Sequence, residues 1–210
     1  MVQYKQMHSH IYQATVRILF GALGLAAIIV QLMSSIEHGR NLVNFFSFFT
    51  IESNILAVVL LLLLGIAGLT KTKREFATTR GAITLYMTMT GIIYVLLLSG
   101  NEVALQTTIP WVNIVLHYVM PAVILLDWLA FPPTRHVYMR HAAIWLAFPV
   151  LYVAYSLIRG GFTEWYPYPF LNPIENGWPT VVAMCIIIGL STSTLAGLLT
   201  LRTPRAPAER

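Results

Sequence analysis

The chain has 210 residues, of which 57% are hydrophobic and only 10% charged, and its mean hydropathy is +0.71. Soluble globular proteins are about 45–50% apolar and about 25% charged, so this composition excludes a single soluble domain, a disordered chain and a coiled coil. The net charge is +5, but the basic residues are scattered singly between apolar stretches, which favours a topology signal over nucleic-acid binding. The lone cysteine, Cys185, excludes a disulfide scaffold. The composition therefore predicts an integral membrane protein.

Six apolar stretches are each long enough to cross a bilayer as a helix, which takes roughly 20 residues for about 30 Å of hydrocarbon. We predict an all-α polytopic membrane protein in which residues 1–210 form one domain, a bundle of six transmembrane helices. About 90 residues remain for two tails and five loops, which leaves no room for a soluble domain. The predicted spans cover about residues 16–33, 45–69, 82–98, 111–129, 142–158 and 178–201.

The distribution of basic residues predicts the orientation of the bundle. Eleven of the thirteen Lys and Arg residues lie in the two tails and in the second and fourth loops, whereas Arg40 and Arg159 alone lie on the other side. Because basic residues are retained on the cytoplasmic side, both termini are expected in the cytoplasm. No retention signal is recognisable, so we expect the cell membrane.

Two loops on the predicted outer side differ in character. The third is short and polar, with Asn101, Glu102, Gln106, Thr107 and Thr108. The fifth is the most aromatic segment of the chain, with Trp165, Tyr166, Tyr168, Phe170 and Trp178. Tyr and Trp prefer the membrane interface, which favours an anchor belt. The alternative is a lid over an outward-facing site, stiffened by three prolines of the same loop.

Few polar side chains lie deep in the predicted spans, and each is costly there unless it is paired. In span two, Thr50, Ser53 and Asn54 share one helix face by the i, i+3, i+4 rule. Such a stripe usually joins helices. Near the cytoplasmic end of span four, Asp127 precedes Arg135 and Arg140 closely, which predicts a structural ion pair.

His117 is the only histidine deep in a span, and Asn113 lies one turn before it on the same face. A neutral histidine that bonds across a helix interface is one interpretation; a general base, a proton relay or a ligand is the other. No second deep histidine is present, so neither a bis-histidine haem nor a histidine metal site is expected, and no cofactor or metal is predicted.

Thr50 and His117 lie at similar depths. Counted from the outer ends of their spans, Thr50 lies about 7.5 Å and His117 about 9 Å inside the membrane at helical rise. Whether the two side chains face each other is not determined by the sequence. In span six, Gly189, Ser193 and Gly197 are spaced by four residues, which predicts a face that packs against another helix.

Three short motifs carry a family resemblance along nearly the whole chain. They are FFT followed by ILAV around Thr50, N-LH with M-P from Asn113 to Pro121, and YPFL from Tyr168 to Leu171. With these motifs on six spans, the chain resembles the androgen-induced-protein-like family, which includes the androgen-dependent TFPI-regulating protein and microbial predicted six-transmembrane proteins.

The resemblance implies a membrane-embedded threonine hydrolase, because animal members cleave fatty acid esters of hydroxy fatty acids with a threonine and a histidine. Those two residues fall here on Thr50 and His117. A threonine hydroxyl needs an adjacent base, and a neutral histidine is a suitable one. Asn54, Asn113 and Tyr168 are the candidates for contacts with the substrate or its oxyanion.

The sequence thus predicts a hydrolase of lipid carboxylic esters, whose partner is a membrane lipid or lipid ester and not a nucleic acid. Two other classes stay open. One is a small transporter that uses His117 as its titrating group, although no internal repeat and few intramembrane carboxylates are present. The other is an accessory membrane protein whose polar groups only pack the bundle.

Overall fold

The computed structural model describes residues 2–70, 72, 76–100, 106 and 109–204, with only the backbone for residues 2–10 and 141. Within this part of the chain all regular structure is helical. The α-helices are α1 (Val2–Glu37), α2 (Leu42–Phe46), α3 (Phe49–Leu69), α4 (Ala77–Ile93), α5 (Pro110–Ile114), α6 (Met120–Ala130), α7 (Met139–Trp145), α8 (Ala147–Thr163) and α9 (Pro173–Thr200).

Among the described residues, six helical segments are long and apolar enough to cross a membrane, which confirms the predicted all-α architecture with six such helices and is consistent with a multi-pass integral membrane protein. We number them as spans 1 to 6: Ile11–Glu37, Phe49–Leu69, Ala77–Leu98, Pro110–Ala130, Ala142–Thr163 and Pro173–Thr200. The predicted positions agree with these segments. Their ends differ by five residues or fewer and most in span 1; in span 2 the predicted start precedes an interruption at Ser47 and Phe48, after which the helix begins again at Phe49.

Spans 2, 3 and 4 form the most buried part of the bundle, and spans 5 and 6 are the least buried. Span 1 packs closely along span 2. At Gly65 a Cβ atom would lie 2.5 Å from Ile18 Cγ1, so the absence of a side chain is what allows these two helices to approach. The core between the inner spans is filled by large apolar side chains such as Leu61, Met87, Leu116 and Met120.

Two of the spans contain a π-helical turn. One, Tyr94–Leu98, extends α4 at the end of span 3, and the other, Val115–Val119, joins α5 to α6 within span 4. A π-turn inserts an extra residue into a helix and is found frequently at functional sites. Pro121 follows the second π-turn directly and lies at the start of α6.

At the end of the bundle where α1 begins and α9 ends, the half-buried carboxylate of Asp127 lies in an ion-pair cluster with two buried arginines. Arg17 Nε lies 2.8 Å from Asp127 Oδ1, and Arg80 Nη2 lies 3.0 Å from Oδ2. The predicted pairing of Asp127 with Arg135 or Arg140 was therefore wrong. Arg17 and Arg80 enter the bundle from spans 1 and 3 at the depth of Asp127, whereas the two arginines that follow it in sequence lie beyond the end of α6.

Candidate active site

Thr50 lies in the first turn of α3, at the opposite end of the bundle from the Asp127 cluster. The helix begins there because Phe48 is extended (φ −82°, ψ 124°) and separates α3 from the short helix α2. Side chains from span 5 hold this break: the Tyr152 hydroxyl donates to the carbonyl of Ser47 at 2.9 Å, and Tyr155 Oη lies 2.8 Å from Ser47 Oγ. Thr50 is consequently the second residue of a helix whose N-terminus is buried in protein.

Two tyrosine hydroxyls accept the first backbone N–H groups of α3. The N–H of Phe49 donates to Tyr152 Oη at 3.3 Å, and the N–H of Thr50 donates to Tyr168 Oη at 3.2 Å. The first N–H groups of a helix have no partner within the helix, so a buried start requires such contacts. The hydroxyl of Tyr168 also lies 3.4 Å from Thr50 Oγ1, where either group is able to donate.

Tyr168 belongs to the aromatic fifth loop, and that loop turns inward. The Tyr168 ring is buried against Phe48, with 5.8 Å between ring centroids, and stacks on Phe170 at 5.3 Å. Burial raises the pKa of the Tyr168 phenol above its ordinary value of 10, although its hydrogen bonds with Thr50 oppose the shift. Tyr168 therefore stays a neutral hydroxyl at physiological pH, with a proton to donate beside Thr50.

His117 lies in the π-turn of span 4 and is buried. Its Nδ1 atom lies 3.1 Å from the backbone carbonyl oxygen of Asn113, the residue one turn before it. A carbonyl only accepts, so Nδ1 carries the proton of the neutral ring and Nε2 carries the lone pair. The ring stacks on Tyr94, with 3.9 Å between centroids and 24° between planes, and Tyr94 opens the other π-turn.

Asn54 and Asn113 support these residues. Asn54 Nδ2 donates to the carbonyls of Thr50 (2.8 Å) and Leu116 (3.1 Å), and so ties α3 to the π-turn of span 4. Both amide protons of Asn54 are used in this way, which assigns it a bracing contact in place of the expected oxyanion contact. Asn113 Nδ2 donates to Tyr94 Oη at 2.6 Å. The Oδ1 atoms of both asparagines are buried and have no partner among the described residues.

The stripe of polar residues on α3 was predicted to share one buried face, and this is confirmed. Thr50, Ser53 and Asn54 are all buried, and Ser53 Oγ lies 3.0 Å from Thr90 Oγ1 of span 3. The stripe joins span 2 to spans 3 and 4 at one level.

Thr50 and Tyr168 separate two cavities. The apolar cavity, of about 330 Å³, lies between α3, α4, α8 and α9, and the small cavity, of about 20 Å³, lies between α3 and span 4. Thr50 and Tyr168 line both, whereas His117 lines the small cavity. The candidate nucleophile and the candidate base therefore meet at one space, and the nucleophile also faces a second, apolar space.

The apolar cavity reaches the lateral surface of the bundle between spans 5 and 6. Val150, Gly189 and Ser193 line it and are exposed, and α8 and α9 come close to each other at few points. A Cβ atom on Gly189 would meet nothing within 4 Å. The expected helix-packing face of α9 is therefore not packed at Gly189 and Ser193, which instead border the mouth of the apolar cavity.

Two glutamines also line the small cavity: Gln106, which the sequence analysis named among the polar residues of the third loop, and Gln31 of span 1, which it did not single out. Gln31 Nε2 donates to the carbonyl of Gln106, and Arg40 Nη1 donates to the same oxygen at 3.1 Å. Gln31 is a polar residue within an apolar run, which is a signal that the sequence does carry. The other polar residues predicted in the third loop, Asn101, Glu102, Thr107 and Thr108, lie outside the described residues.

Comparison of the chain with family models, with curated proteins and with solved structures finds no match. The resemblance to the androgen-induced-protein-like family therefore stays a prediction, which rests on the motifs around Thr50, His117 and Tyr168.

Proposed function

We propose that this chain is a membrane-embedded threonine hydrolase that cleaves carboxylic esters of lipids, with Thr50 as the nucleophile and His117 as the general base. One observation carries the proposal: Thr50 lies between a large apolar cavity and a small cavity that His117 also lines. An ester substrate needs an apolar space for its chain and a polar space for proton transfer, and Thr50 borders both.

In the first step, His117 Nε2 accepts the hydroxyl proton of Thr50 while Thr50 Oγ1 forms a bond to the ester carbonyl carbon. The bond from that carbon to the alcohol oxygen then breaks, and the imidazolium returns its proton to the departing alcohol. The product is an acyl-threonine. The contact of His117 Nδ1–H with the carbonyl of Asn113 supports this role, since it fixes the tautomer in which Nε2 is basic.

The negative charge that develops on the carbonyl oxygen needs donors that are already in place. The Tyr168 hydroxyl, next to Thr50 Oγ1, is such a donor, and the N–H of Thr50 points from a helix N-terminus, where the helix dipole favours negative charge. Tyr168 is therefore the residue to which we assign the oxyanion contact.

The apolar cavity supports a lipid as the substrate. Ligand sites are usually apolar clefts with a few placed polar groups, and this cavity presents the hydroxyls of Thr50 and Tyr168 in a wall of Phe, Leu, Ile and Val side chains. Because its mouth opens sideways, an ester dissolved in the bilayer enters without crossing water. We also propose the cell membrane with both termini cytoplasmic, which the eleven-to-two distribution of Lys and Arg supports.

The first prediction tests the nucleophile. Purified protein in detergent should label with a fluorophosphonate probe and should hydrolyse a lipid ester, and Thr50→Ala should lose both activities because no oxygen remains to form the covalent bond. Mass spectrometry of the labelled peptide should place the adduct on Thr50. Thr50→Ser should keep the labelling.

A matched control is Thr88→Ala, since Thr88 is also a buried threonine within a span, but it lines neither of the two cavities and its hydroxyl donates to the backbone of α4. Its labelling should equal that of the wild type. Labelling that survives in Thr50→Ala contradicts the assignment of the nucleophile. A wild-type protein that neither labels nor turns over any lipid ester contradicts the proposal and favours the transporter or accessory alternatives.

A further inference from the structure

We propose that the small cavity binds the water molecule that hydrolyses the acyl-threonine, and that the side-chain oxygens of Gln31 and Gln106 hold it there. We call this space the water chamber; its polar lining residues are Gln31, Thr50, Gln106, His117 and Tyr168. The inference rests on the proposed function, because it concerns the second half of the same reaction.

The size of the chamber fits one water molecule. A cavity needs a volume of at least about 10–15 Å³ and two to four polar partners to hold one water molecule. The chamber has a volume of about 20 Å³. The rest of its wall is apolar, with Phe45, Phe48, Ile51 and Leu116. A space of this size excludes the leaving alcohol of a lipid ester, so the occupant that fits is water.

The chemistry of the lining selects a hydrogen-bond donor. Gln31 Oε1 and Gln106 Oε1 are buried, and neither atom has a partner within the described part of the chain. Amide oxygens only accept hydrogen bonds, and an unsatisfied buried acceptor is costly. An ester has no O–H or N–H group to offer these atoms, whereas water has two. Two unsatisfied acceptors in a water-sized cavity therefore point to water and not to substrate.

The amide nitrogen of Gln31 holds the Gln31 side chain in place. Gln31 is 3% exposed, and its Nε2 atom donates to the carbonyl of Gln106, which also accepts from Arg40 Nη1. Gln106 has a left-handed backbone conformation (φ 58°), which non-glycine residues adopt rarely and which surrounding contacts must maintain. The carbonyl of Gln106 thus orients the amide of Gln31, and the Oε1 atom of Gln31 is left to accept from the water.

The hydrolysis of the acyl-threonine then uses the bound water, Gln31 and His117. The bound water first donates its two hydrogen bonds to Gln31 Oε1 and Gln106 Oε1; in the reacting position it keeps the bond to Gln31 Oε1 and turns its other hydrogen from Gln106 Oε1 to His117 Nε2. Its oxygen forms a bond to the acyl carbon as His117 takes its proton, the bond from that carbon to Thr50 Oγ1 breaks, and His117 returns the proton to Thr50 Oγ1. One water is consumed, and a free fatty acid and the original threonine result. Gln106 Oε1 provides a second acceptor in the same chamber.

The test separates the two half-reactions with a nitrophenyl ester of a fatty acid as the probe. Gln31→Met keeps the length of the side chain and removes the acceptor, so acylation of Thr50 should proceed at the wild-type rate while hydrolysis of the acyl-threonine slows by ~10²-fold, as expected when a reacting group is misplaced. Stopped-flow kinetics should show a burst of one nitrophenol per protein followed by slow turnover, with kcat and KM both lowered. Mass spectrometry should find the acyl group on Thr50.

Two controls distinguish this outcome from a general defect. Ser35→Ala alters a buried side chain one turn along span 1, whose hydroxyl donates to the carbonyl of Gln31 at 2.9 Å, and should leave both rates unchanged. Gln31→Glu retains a side-chain oxygen that accepts a hydrogen bond in either protonation state, and it should restore turnover relative to Gln31→Met. If Gln31→Met does not fold, Gln106→Met offers the same test from the loop.

Wild-type turnover in Gln31→Met, or an equal fall of the burst rate and the steady-state rate, overturns the inference and leaves the proposed function standing. A wild-type protein without labelling or turnover overturns the proposed function, and the inference falls with it.

Discussion

Two buried polar clusters lie near opposite ends of the bundle, and they differ in how completely their polar atoms are paired. In the cluster around Asp127, both carboxylate oxygens accept from arginines, and Arg80 also donates to the carbonyl of Phe131 at 2.8 Å. In the cluster around Thr50 and His117, the side-chain oxygens of four neighbours have no partner among the described residues, namely Gln31, Asn54, Gln106 and Asn113. The second cluster adjoins two cavities.

The difference separates a structural cluster from a candidate site. A buried charge that loses its counter-ion is strongly destabilising, so the tight pairing of Asp127 is what a stable bundle needs. A buried acceptor without a hydrogen bond lowers the stability of the folded protein. Such an acceptor is explained when a ligand or a reacting group bonds to it. The first cluster is built from charged side chains and the second from neutral polar ones, and the pairing of their polar atoms separates them further.

After Thr50, the largest effect on activity is expected at His117. His117→Gln keeps an amide donor for the carbonyl of Asn113 but removes the basic nitrogen, so lipid-ester turnover should fall by ~10³-fold, within the range of general acid–base catalysis. Loss of the stacking contact with Tyr94 should lower the stability by only about 1 kcal/mol. Turnover and thermal unfolding in detergent, measured on the same preparation, check the two expectations.

His136 provides the matched control, because it is a half-buried histidine outside the spans, beyond the end of α6. His136→Gln should leave turnover at the wild-type level. Equal losses of stability and activity in His117→Gln would place His117 with Asp127, as a residue that holds the bundle together.

The next largest effect is expected at Asp127, where stability should fall and turnover should hardly change. Asp127→Asn removes the carboxylate with which the buried Arg17 and Arg80 pair, so the free energy of unfolding should fall by about 3–5 kcal/mol. The variant should therefore unfold at a markedly lower temperature and accumulate poorly, while the turnover of each folded molecule stays within a factor of about two. Glu37→Gln, an exposed acid at the end of α1, should behave as the wild type. An unchanged unfolding temperature in Asp127→Asn would contradict the structural role of this cluster.

Features that depend on composition and local spacing were predictable from the sequence. Six spans follow from the length of the apolar stretches, and the shared face of Thr50 and Asn54 follows from the helical period. The similar depth of Thr50 and His117 followed from counting inward from the same side. Their meeting at one cavity depends on how span 2 and span 4 rotate against each other, which no local pattern encodes.

Features that depend on partners distant in sequence were not predictable. The segment FFSFFT contains no glycine or proline, yet the helix is broken at Ser47 and Phe48, where Tyr152 and Tyr155 of span 5 bind more than a hundred residues away. Asp127 likewise pairs with Arg17, at a separation of 110 residues, and not with the arginines that follow it. In both places the nearest sequence neighbours were a poor guide because the fold supplies better-placed groups.

The smallest effect is expected at the two tyrosines that accept N–H groups of α3. These variants distinguish a hydroxyl that contacts the Thr50 side chain from one that contacts only the helix backbone. Tyr168→Phe and Tyr152→Phe each remove a hydroxyl that accepts from a buried N–H, so each should lower the free energy of unfolding by about 1–3 kcal/mol. Only Tyr168 also reaches Thr50 Oγ1, so Tyr168→Phe alone should reduce the rate of acylation, by about 10²-fold.

Stopped-flow acylation and thermal unfolding of the two variants form a matched pair, because both substitutions remove one oxygen from the start of the same helix. Similar losses of stability with a loss of acylation confined to Tyr168→Phe would show that the hydroxyl acts on the reacting group. If both variants lost acylation equally, the start of α3 would need both hydroxyls only to hold its position. Tyr168 would then belong with Asp127, among the residues that stabilise the bundle, and the oxyanion contact would have to come from the N–H of Thr50 itself.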